Sequence, residues 1–334
     1  MAKISVLGGG TWAIGLTIQL ATAGHDVTVW SALESEIEML SSTHAHVNLP
    51  GATIPESVKY TLDDKEAVTD KDILVMAVAS SFTRKTAKRI APLVKQGQII
   101  VDVAKGIEEG TLKTLSEQIE DEIPGAKVVA LSGPTHAEEV SRFMPTTIVA
   151  SSPDKEIAKY IQDIFMTDTL RVYTSSDIKG VELGGSLKNV VALAAGIADG
   201  LGYGDNAKAA IITRGIAEIS RLGVKMGCRP ETFSGLTGMG DLIVTCASMH
   251  SRNRRCGILL GQGKSLEEAQ KEVGMVVEGI YSAKAAIELG KKYEVSLPII
   301  EQVNLILFEG KDAGTAVKEL MLREKKDEVS DTQW

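Results

Sequence analysis

The sequence predicts an α/β chain whose first half is a doubly wound, mainly parallel sheet and whose second half is all helical. Three observations predict it. Short β-branched runs alternate with amphipathic segments as far as about residue 175, long helical patterns then replace them, and a glycine-rich turn joins the first strand to the first helix. Alternation at this spacing is the pattern of parallel strands with crossover helices on both faces.

Taken in order, the strand candidates are "KISVL" (Lys3–Leu7), "DVTVW" (Asp26–Trp30), "DILVMAV" (Asp72–Val78), "QIIVDV" (Gln98–Val103), "KVVAL" (Lys127–Leu131) and "TTIVAS" (Thr146–Ser151). Between them, segments such as "ESEIEMLSS" and "TRKTAKRIAPLV" carry apolar residues at helical spacing. In the second half, helices are predicted over Asp177–Asp199, Asn206–Met226, Ser265–Val273, Tyr281–Lys292 and Pro298–Phe308. The tail "REKKDEVSDTQW" is charged and aperiodic and is expected to fray.

A length of 334 residues gives two domains as the starting expectation. With 44% hydrophobic and 24% charged residues, the composition is that of a globular protein rather than a disordered one. The net charge of −8 argues against non-specific nucleic-acid binding, and any anionic substrate must be held by local cations. Cys228, Cys246 and Cys256 are odd in number and lack C-x-x-C spacing. That points away from a disulfide frame or a metal site and toward the reducing cytoplasm. The N-terminus has too short an apolar run for a signal peptide. No uninterrupted apolar run reaches the roughly 20 residues of a span, so no membrane insertion is expected.

"ISVLGGGTWAIG" offers Gly8, Gly10 and Ala13 as G-x-G-x-x-A between the first strand and a helix. Such a turn lets backbone N–H groups approach a pyrophosphate lying on the helix N-terminus. A bare glycine turn is the competing explanation, but the setting at the head of a βαβ series favours a dinucleotide. The expected division is therefore a Rossmann-type dinucleotide-binding domain over residues 1–178 and a helical substrate-binding and catalytic domain over 179–334. The second strand runs on into "VTVWSALE", with no acid directly at its tip. Glu34 comes a few residues late, so the residue that reads the ribose stays open.

Other candidates lie in glycine-rich turns. Lys105, in "VAKGIE", follows a strand end, where open α/β sheets form their crevice. "LSGPTHAEEV" supplies Gly133 and Thr135 at the expected start of a helix, where Thr135 could equally be a plain N-cap. His136 has no spaced partner and reads as structural. "GMGDLIVTCASMHSRNRRCG" gathers Asp241, Thr245, Ser251, Arg252 and Asn253. Guanidinium, amide and hydroxyl together suit an oxyanion, although a solvated basic face would look similar. Lys188 stands alone among Leu, Val, Ala, Ile and Gly between Glu182 and Asp199, and a buried ammonium is costly unless paired.

These stretches carry a resemblance. "GVELGGSLKNVVALAAGIADGLGYGDNAKAA", "GLTGMGDLIVTC", "HSRNRR", "GMVVEGI", "VAKGIE" and "LSGPTHAEEV" are similar, over nearly the whole chain, to the bacterial NAD(P)-dependent glycerol-3-phosphate dehydrogenases. The resemblance implies reversible reduction of dihydroxyacetone phosphate to sn-glycerol 3-phosphate, which supplies phospholipid synthesis. It implies NAD(H) or NADP(H) as cofactor, a phosphorylated triose as substrate and Lys188 as the catalytic residue. Substrate contacts carried over are Lys105, Gly133, Thr135, Lys188, Asp241, Ser251, Arg252 and Asn253. Cofactor contacts are Gly8, Gly10, Thr11, Trp12, Lys105, Ala137, Arg252, Val276 and Glu278. The family usually has Ser at position 11, Gly at 13 and often His or Arg at 32 or 33, where this chain has Thr11, Ala13, Ala32 and Leu33.

A reason for Lys188 follows. A ketone oxygen that becomes an alkoxide on hydride arrival needs a proton donor and a positive neighbour. A lysine in an apolar helix can be both, with Asn189 and Asp241 expected to orient it. Two rivals remain: a dehydrogenase of 3-hydroxyacyl or 6-phosphogluconate type, and a redox sensor that binds NAD(H) without turnover. A homodimer is the expected assembly. Because no Lys, Arg or His lies within Trp30–Glu34, NADH is expected to serve at least as well as NADPH, unless Arg84 or Lys85 reaches the ribose.

Overall fold

The computed structural model describes residues 1–325, 327 and 328. β1 (Lys3–Leu7) is buried from Ile4 to Leu7 because strands pack on both its sides and helices on both its faces. It pairs with β2 (Asp26–Trp30), which pairs with the edge strand β3 (Lys59–Thr61). On its other side follow β4 (Ile73–Met76), β5 (Ile99–Asp102), β6 (Lys127–Ser132), β7 (Thr146–Ser151) and β8 (Leu170–Ser175), giving the order β3-β2-β1-β4-β5-β6-β7-β8. Every pair is parallel except β6 with β7. Leu7 lies opposite both Trp30 and Met76, so the three central strands end level, where the strand order reverses. That is where an open sheet of this kind places its crevice.

All six predicted strands are present, with Asp72–Val78 and Gln98–Val103 trimmed at both ends. β3 and β8 were absent from the prediction, and both are edge strands. β3 is three residues long, and β8 alternates buried Leu170 and Val172 with exposed Arg171 and Tyr173. A half-solvated edge has a weaker apolar signature than a central strand.

The helical half is organised around one helix, Ile178–Gly200, buried without interruption from Gly180 to Ala198. By length and mean hydropathy it could cross a membrane, although Lys179, Glu182 and Lys188 interrupt its apolar run; here its 18-residue apolar stretch is buried inside the chain, as in the core helix of a globular fold. The helices Asp205–Lys225, Arg252–Gly261, Glu278–Tyr293 and Pro298–Glu309 surround it. Asp177 caps it through Gly180 N at 3.1 Å and also receives Arg229 N at 2.9 Å and Thr232 Oγ1 at 2.6 Å.

The closest packing is against Arg252–Gly261. A Cβ at Gly196 would lie 2.1 Å from the Arg254 carbonyl, and one at Gly257 would lie 2.2 Å from the Leu193 carbonyl. Small residues at four-residue spacing let two helix backbones touch. The consequence is positional: residues 252 and 253 are clamped against the helix that carries Lys188. Four helices of this half lie outside the predicted ones: Pro230–Ser234, Asp241–Ala247, Arg252–Gly261 and Ala313–Met321, the last closing the described helices. The fraying expected of the tail falls largely on residues outside those described.

Candidate active site at the junction of the two halves

At the nucleotide end, the glycine turn is anchored to the sheet. Gly8 adopts φ of +136° and donates its N–H to the Trp30 carbonyl at 2.7 Å. A side chain there would also meet the Ala77 carbonyl at 2.7 Å, so only glycine fits. Gly10 caps the helix Thr11–Thr22 with no side-chain hydrogen bond, and nothing lies within 4 Å of where its Cβ would be. The first-turn N–H groups thus have open space and no competing cap, which is what an anion at a helix N-terminus requires. Thr11 Oγ1 receives Asn48 Nδ2 at 3.2 Å, Trp12 is half-buried on the first-half core, and Ala137 packs on Gly15. These residues fit a dinucleotide.

At the substrate end the central feature is Asp241, which is 1% exposed and shared between two lysines. Lys188 Nζ donates to its Oδ1 at 2.5 Å, and Lys105 Nζ donates to its Oδ2 at 2.6 Å. Lys188 also donates to Thr245 Oγ1 at 2.5 Å, and that hydroxyl donates to the Asp241 carbonyl at 2.6 Å. Lys105 reaches the Gly133 carbonyl at 3.0 Å. One buried carboxylate therefore compensates two ammonium groups, Lys188 buried and Lys105 part-exposed, and removing it would leave Lys188 buried and uncompensated, which is costly. Burial lowers Lys188 to about 8, the attraction of Asp241 opposing that shift and the charge of Lys105 adding to it.

Local structure explains the aim of these groups. A five-residue π-helical turn, Leu236–Gly240, delivers the chain into Asp241–Ala247. It fits against the core helix at Gly184, where a Cβ would lie 2.8 Å from the Thr237 carbonyl. Gly185, next along, leaves room for Lys105, whose Cγ is 3.6 Å from where a Cβ would stand.

A second chain of bonds holds the phosphate-grip candidates. Asn189 Oδ1 accepts from Asn253 Nδ2 at 3.0 Å, and Asn253 Oδ1 accepts from Gly279 N at 2.8 Å. Ser251 caps Arg252–Gly261 by accepting from Arg254 N at 3.2 Å. Arg254 is engaged structurally, with Nε and Nη2 both 2.8 Å from Asp199. Arg252 has no hydrogen bond or ion pair among the described residues; burial lowers it, and Glu278 and Glu138 act against that shift. Glu278 accepts from Ser80 Oγ at 2.6 Å, a link between the halves, while Val276 beside it is 42% exposed. Among the described residues, no cluster of His, Cys, Asp or Glu is arranged to hold a metal ion.

Three expectations change. Thr135 does not start a helix: His136 caps a four-residue helix, Ala137–Val140, and Thr135 Oγ1 donates to the Gly133 carbonyl at 3.2 Å. Asn189 does not touch Lys188, since neighbours on a helix point about 100° apart, and it pairs with Asn253 instead. Arg84 does not approach the ribose region, being bound to Glu108, Asp121 and Glu122. His136 keeps Nε2 without a partner, and its ring lies 5.7 Å from that of His250. Burial, then the charge of Lys188, lowers its pKa.

Sequence reasoning passed over two residues, and it named Thr245 without pairing it to Lys188. Thr245 lies four residues after Asp241 on the same helix face, a spacing that could have assigned its role. Ser80 is 198 residues from Glu278 and gave no local signal. Glu36 turns back over Gly9, where a Cβ would lie 2.7 Å from its Oε2.

Comparison with known proteins gives the family. The sequence models of the NAD-dependent glycerol-3-phosphate dehydrogenase N-terminus and C-terminus match residues 3–158 and 177–318. A glycerol-3-phosphate dehydrogenase [NAD(P)+] of Agathobacter rectalis is 59% identical, covering 100% of both chains. One of Fusobacterium nucleatum is also 59% identical, over 98% of this chain and 99% of its own. The crystal structure of the Coxiella burnetii glycerol-3-phosphate dehydrogenase superposes with a TM-score of 0.93 at 35% identity, covering 96% of this chain and 99% of that one. With both halves matched in order and relatives 59% identical along its whole length, the chain belongs to the NAD-dependent glycerol-3-phosphate dehydrogenase family.

Proposed function

We infer that this protein is an NAD(P)-dependent oxidoreductase that interconverts dihydroxyacetone phosphate and sn-glycerol 3-phosphate, the backbone taken up by phospholipid synthesis. The observation that carries the reading is the pairing of a dry, depressed lysine with a carboxylate, Lys188 on Asp241, at the junction of the halves. It favours an enzyme over a sensor without turnover, since a buried lysine with a lowered pKa and a fixed partner suits proton transfer. The neighbouring unpaired Arg252 favours a phosphorylated substrate over a simple hydroxy acid.

Gly8, Gly10, Thr11, Trp12 and Ala137 would hold the dinucleotide, joined by Lys105, Arg252, Val276 and Glu278 from the substrate side. When bound, the nicotinamide supplies or accepts the hydride. The chain's own residues manage the oxygen. As the carbonyl π electrons of the ketone move onto oxygen, Lys188 Nζ lies ready to give up a proton, forming the hydroxyl and leaving a neutral amine. Asp241 and Thr245 fix the direction of Nζ, and Lys105 adds positive potential beside it. Arg252, Ser251 and Asn253 receive the phosphate, with Gly133 and Thr135 forming the wall beside Lys105. In the reverse direction the neutral amine takes the hydroxyl proton.

We place the division of the chain at 178/179, the product pool in the cytoplasm, and no segment in the bilayer. A second copy is the partner we propose, because Val224, Ile243 and Tyr281 stay exposed on the helical half; sedimentation at a single-chain mass would remove it. The activity is tested by following cofactor absorbance with dihydroxyacetone phosphate, unphosphorylated dihydroxyacetone and a panel of 2- and 3-keto acids. Turnover confined to the phosphorylated triose is expected. Better turnover of a keto acid, or none with any ketone, overturns the assignment.

A further inference from the structure

Glu34, the acid that sequence spacing offered near the ribose, opens the helix Glu34–Thr43 and is exposed. Glu36 behaves differently. It is half-buried and turns back toward the sheet, where its Oε2 accepts from Ser31 Oγ at 2.6 Å. Ser31 is the first residue after β2, and its hydroxyl is itself fixed by Leu33 N at 3.1 Å. The same Oε2 lies 2.7 Å from where a Cβ of Gly9 would stand, so the carboxylate covers the middle of the glycine turn. Its Oε1 has no hydrogen-bond partner among the described residues.

The space between the glycine turn and the tip of the second strand is where a doubly wound sheet receives the adenosine ribose. A carboxylate there accepts from ribose hydroxyls and opposes the one to two negative charges of a 2′-phosphate. Among the described residues no cation is paired with it. Arg84 is bound to three acids, and Arg89 is bound to Asp64 with its guanidinium 5.1 Å above the Trp30 ring. Lys85 is exposed, and His46, which meets the Gly9 backbone, is kept below its ordinary range by burial despite Glu36.

We propose that Glu36, held by Ser31, is the specificity-determining residue of the cofactor site: its free oxygen takes a hydroxyl of the adenosine ribose and its charge turns away a 2′-phosphate, making the chain selective for NADH. This rests on the dehydrogenase reading above. It also replaces Glu34 by Glu36 and turns an expected tolerance of both cofactors into a preference.

The test measures binding of ADP-ribose and of 2′-phospho-ADP-ribose to the full chain by calorimetry, alongside kcat/KM for NADH and NADPH with dihydroxyacetone phosphate. For the native chain, ADP-ribose should bind at least about tenfold more tightly, and NADH should be favoured by a similar ratio. In Glu36→Gln both ratios should shrink to within about threefold, with KM for the triose unchanged. Equal or tighter binding of the 2′-phosphorylated nucleotide by the native chain overturns the proposal without any variant. So does a Glu36→Gln protein that melts normally and keeps the native ratio. Should that variant fold poorly, Glu36→Asp, which retracts the carboxylate by one methylene, must lower the ratio in its place. Absence of triose turnover with either nucleotide would overturn the activity and leave the binding ratio to judge Glu36.

Discussion

At the glycine turn the groups offered to a ligand are backbone N–H groups of residues adjacent in sequence, whereas around Asp241 they are side chains drawn together from as far as 136 residues away. The two ends solve opposite problems. The nucleotide end must present uncapped dipoles and empty space, and it does so by leaving side chains out at Gly8 and Gly10. The substrate end must hold two ammonium groups side by side, one of them buried, and it does so by building a carboxylate, a threonine and a carbonyl around them. Backbone recognition is carried by a local motif; charge compensation is carried by the fold.

The difference shows in what could be read beforehand. The turn, the central strands and the core helix follow from periodicity and glycine spacing, and their bounds agree to within a few residues. Lys188 is legible as an anomaly, one charge in an apolar helix, but its true partner set is not. Asn189 was the neighbour in sequence; the 100° step of the helix sends it to Asn253, while Thr245 arrives from 57 residues away. The π-helical turn before Asp241 has no sequence signature beyond its glycines. Glu36 was missed because a search for an acid directly at a strand tip ignores a side chain that reaches back from the following helix.

If the two ends are as independent as their construction implies, Lys188→Ala should show it most strongly. Turnover should fall by roughly 10²–10⁴-fold, the usual worth of a positioned proton donor, while the dissociation constant for the cofactor stays near native. Stopped-flow turnover with fluorescence binding checks both. A variant with native kcat removes Lys188 from the chemistry; one that also loses the cofactor breaks the separation.

Arg252→Ala tests the seam between the ends. A charged hydrogen bond contributes about 1.5–3 kcal/mol, so KM for dihydroxyacetone phosphate should rise by roughly 10–100-fold. Unphosphorylated dihydroxyacetone should be nearly unaffected. Equal losses on both ketones would contradict a phosphate grip, and a parallel rise in KM for the cofactor would show that Arg252 serves both ends, as its proximity to Glu278 allows.

The pH profile sharpens the contrast, because the proton donor Lys188 belongs to the substrate end. Its ammonium is lowered to about 8, so the donor for ketone reduction is present below that pH and is lost above it. Reduction should fall about tenfold per pH unit beyond pH 8, and alcohol oxidation, which needs the neutral amine, should rise through the same range. Cofactor affinity should stay level. A reduction rate flat to about pH 10 would assign the proton to another group.

The smallest effect concerns a buried charge that serves no ligand. Glu182, on the same core helix, accepts from Ser116 N at 2.7 Å and Ser116 Oγ at 2.5 Å at the start of the helix Leu115–Glu122. Burial pushes it from 4.5 up to about 7, and Asp102 at the end of β5 is raised by its own burial and by Glu182. The folded chain therefore holds a proton that the unfolded chain releases, so stability from this group is greatest below pH 4.5 and declines as pH rises through 7. A shift of that size is worth at most about 3 kcal/mol, and replacing the carboxylate forfeits one charged acceptor for Ser116, which leaves a net of about 1 kcal/mol. Glu182→Gln should thus be more stable than the native chain by about that amount near pH 8.5, and no more stable near pH 5. Urea unfolding at the two pH values measures it. An equal difference at both would mean that Glu182 stays ionised in the fold, and that the core helix holds this charge on hydrogen bonds from Ser116 without the counter-ion that Lys188 has.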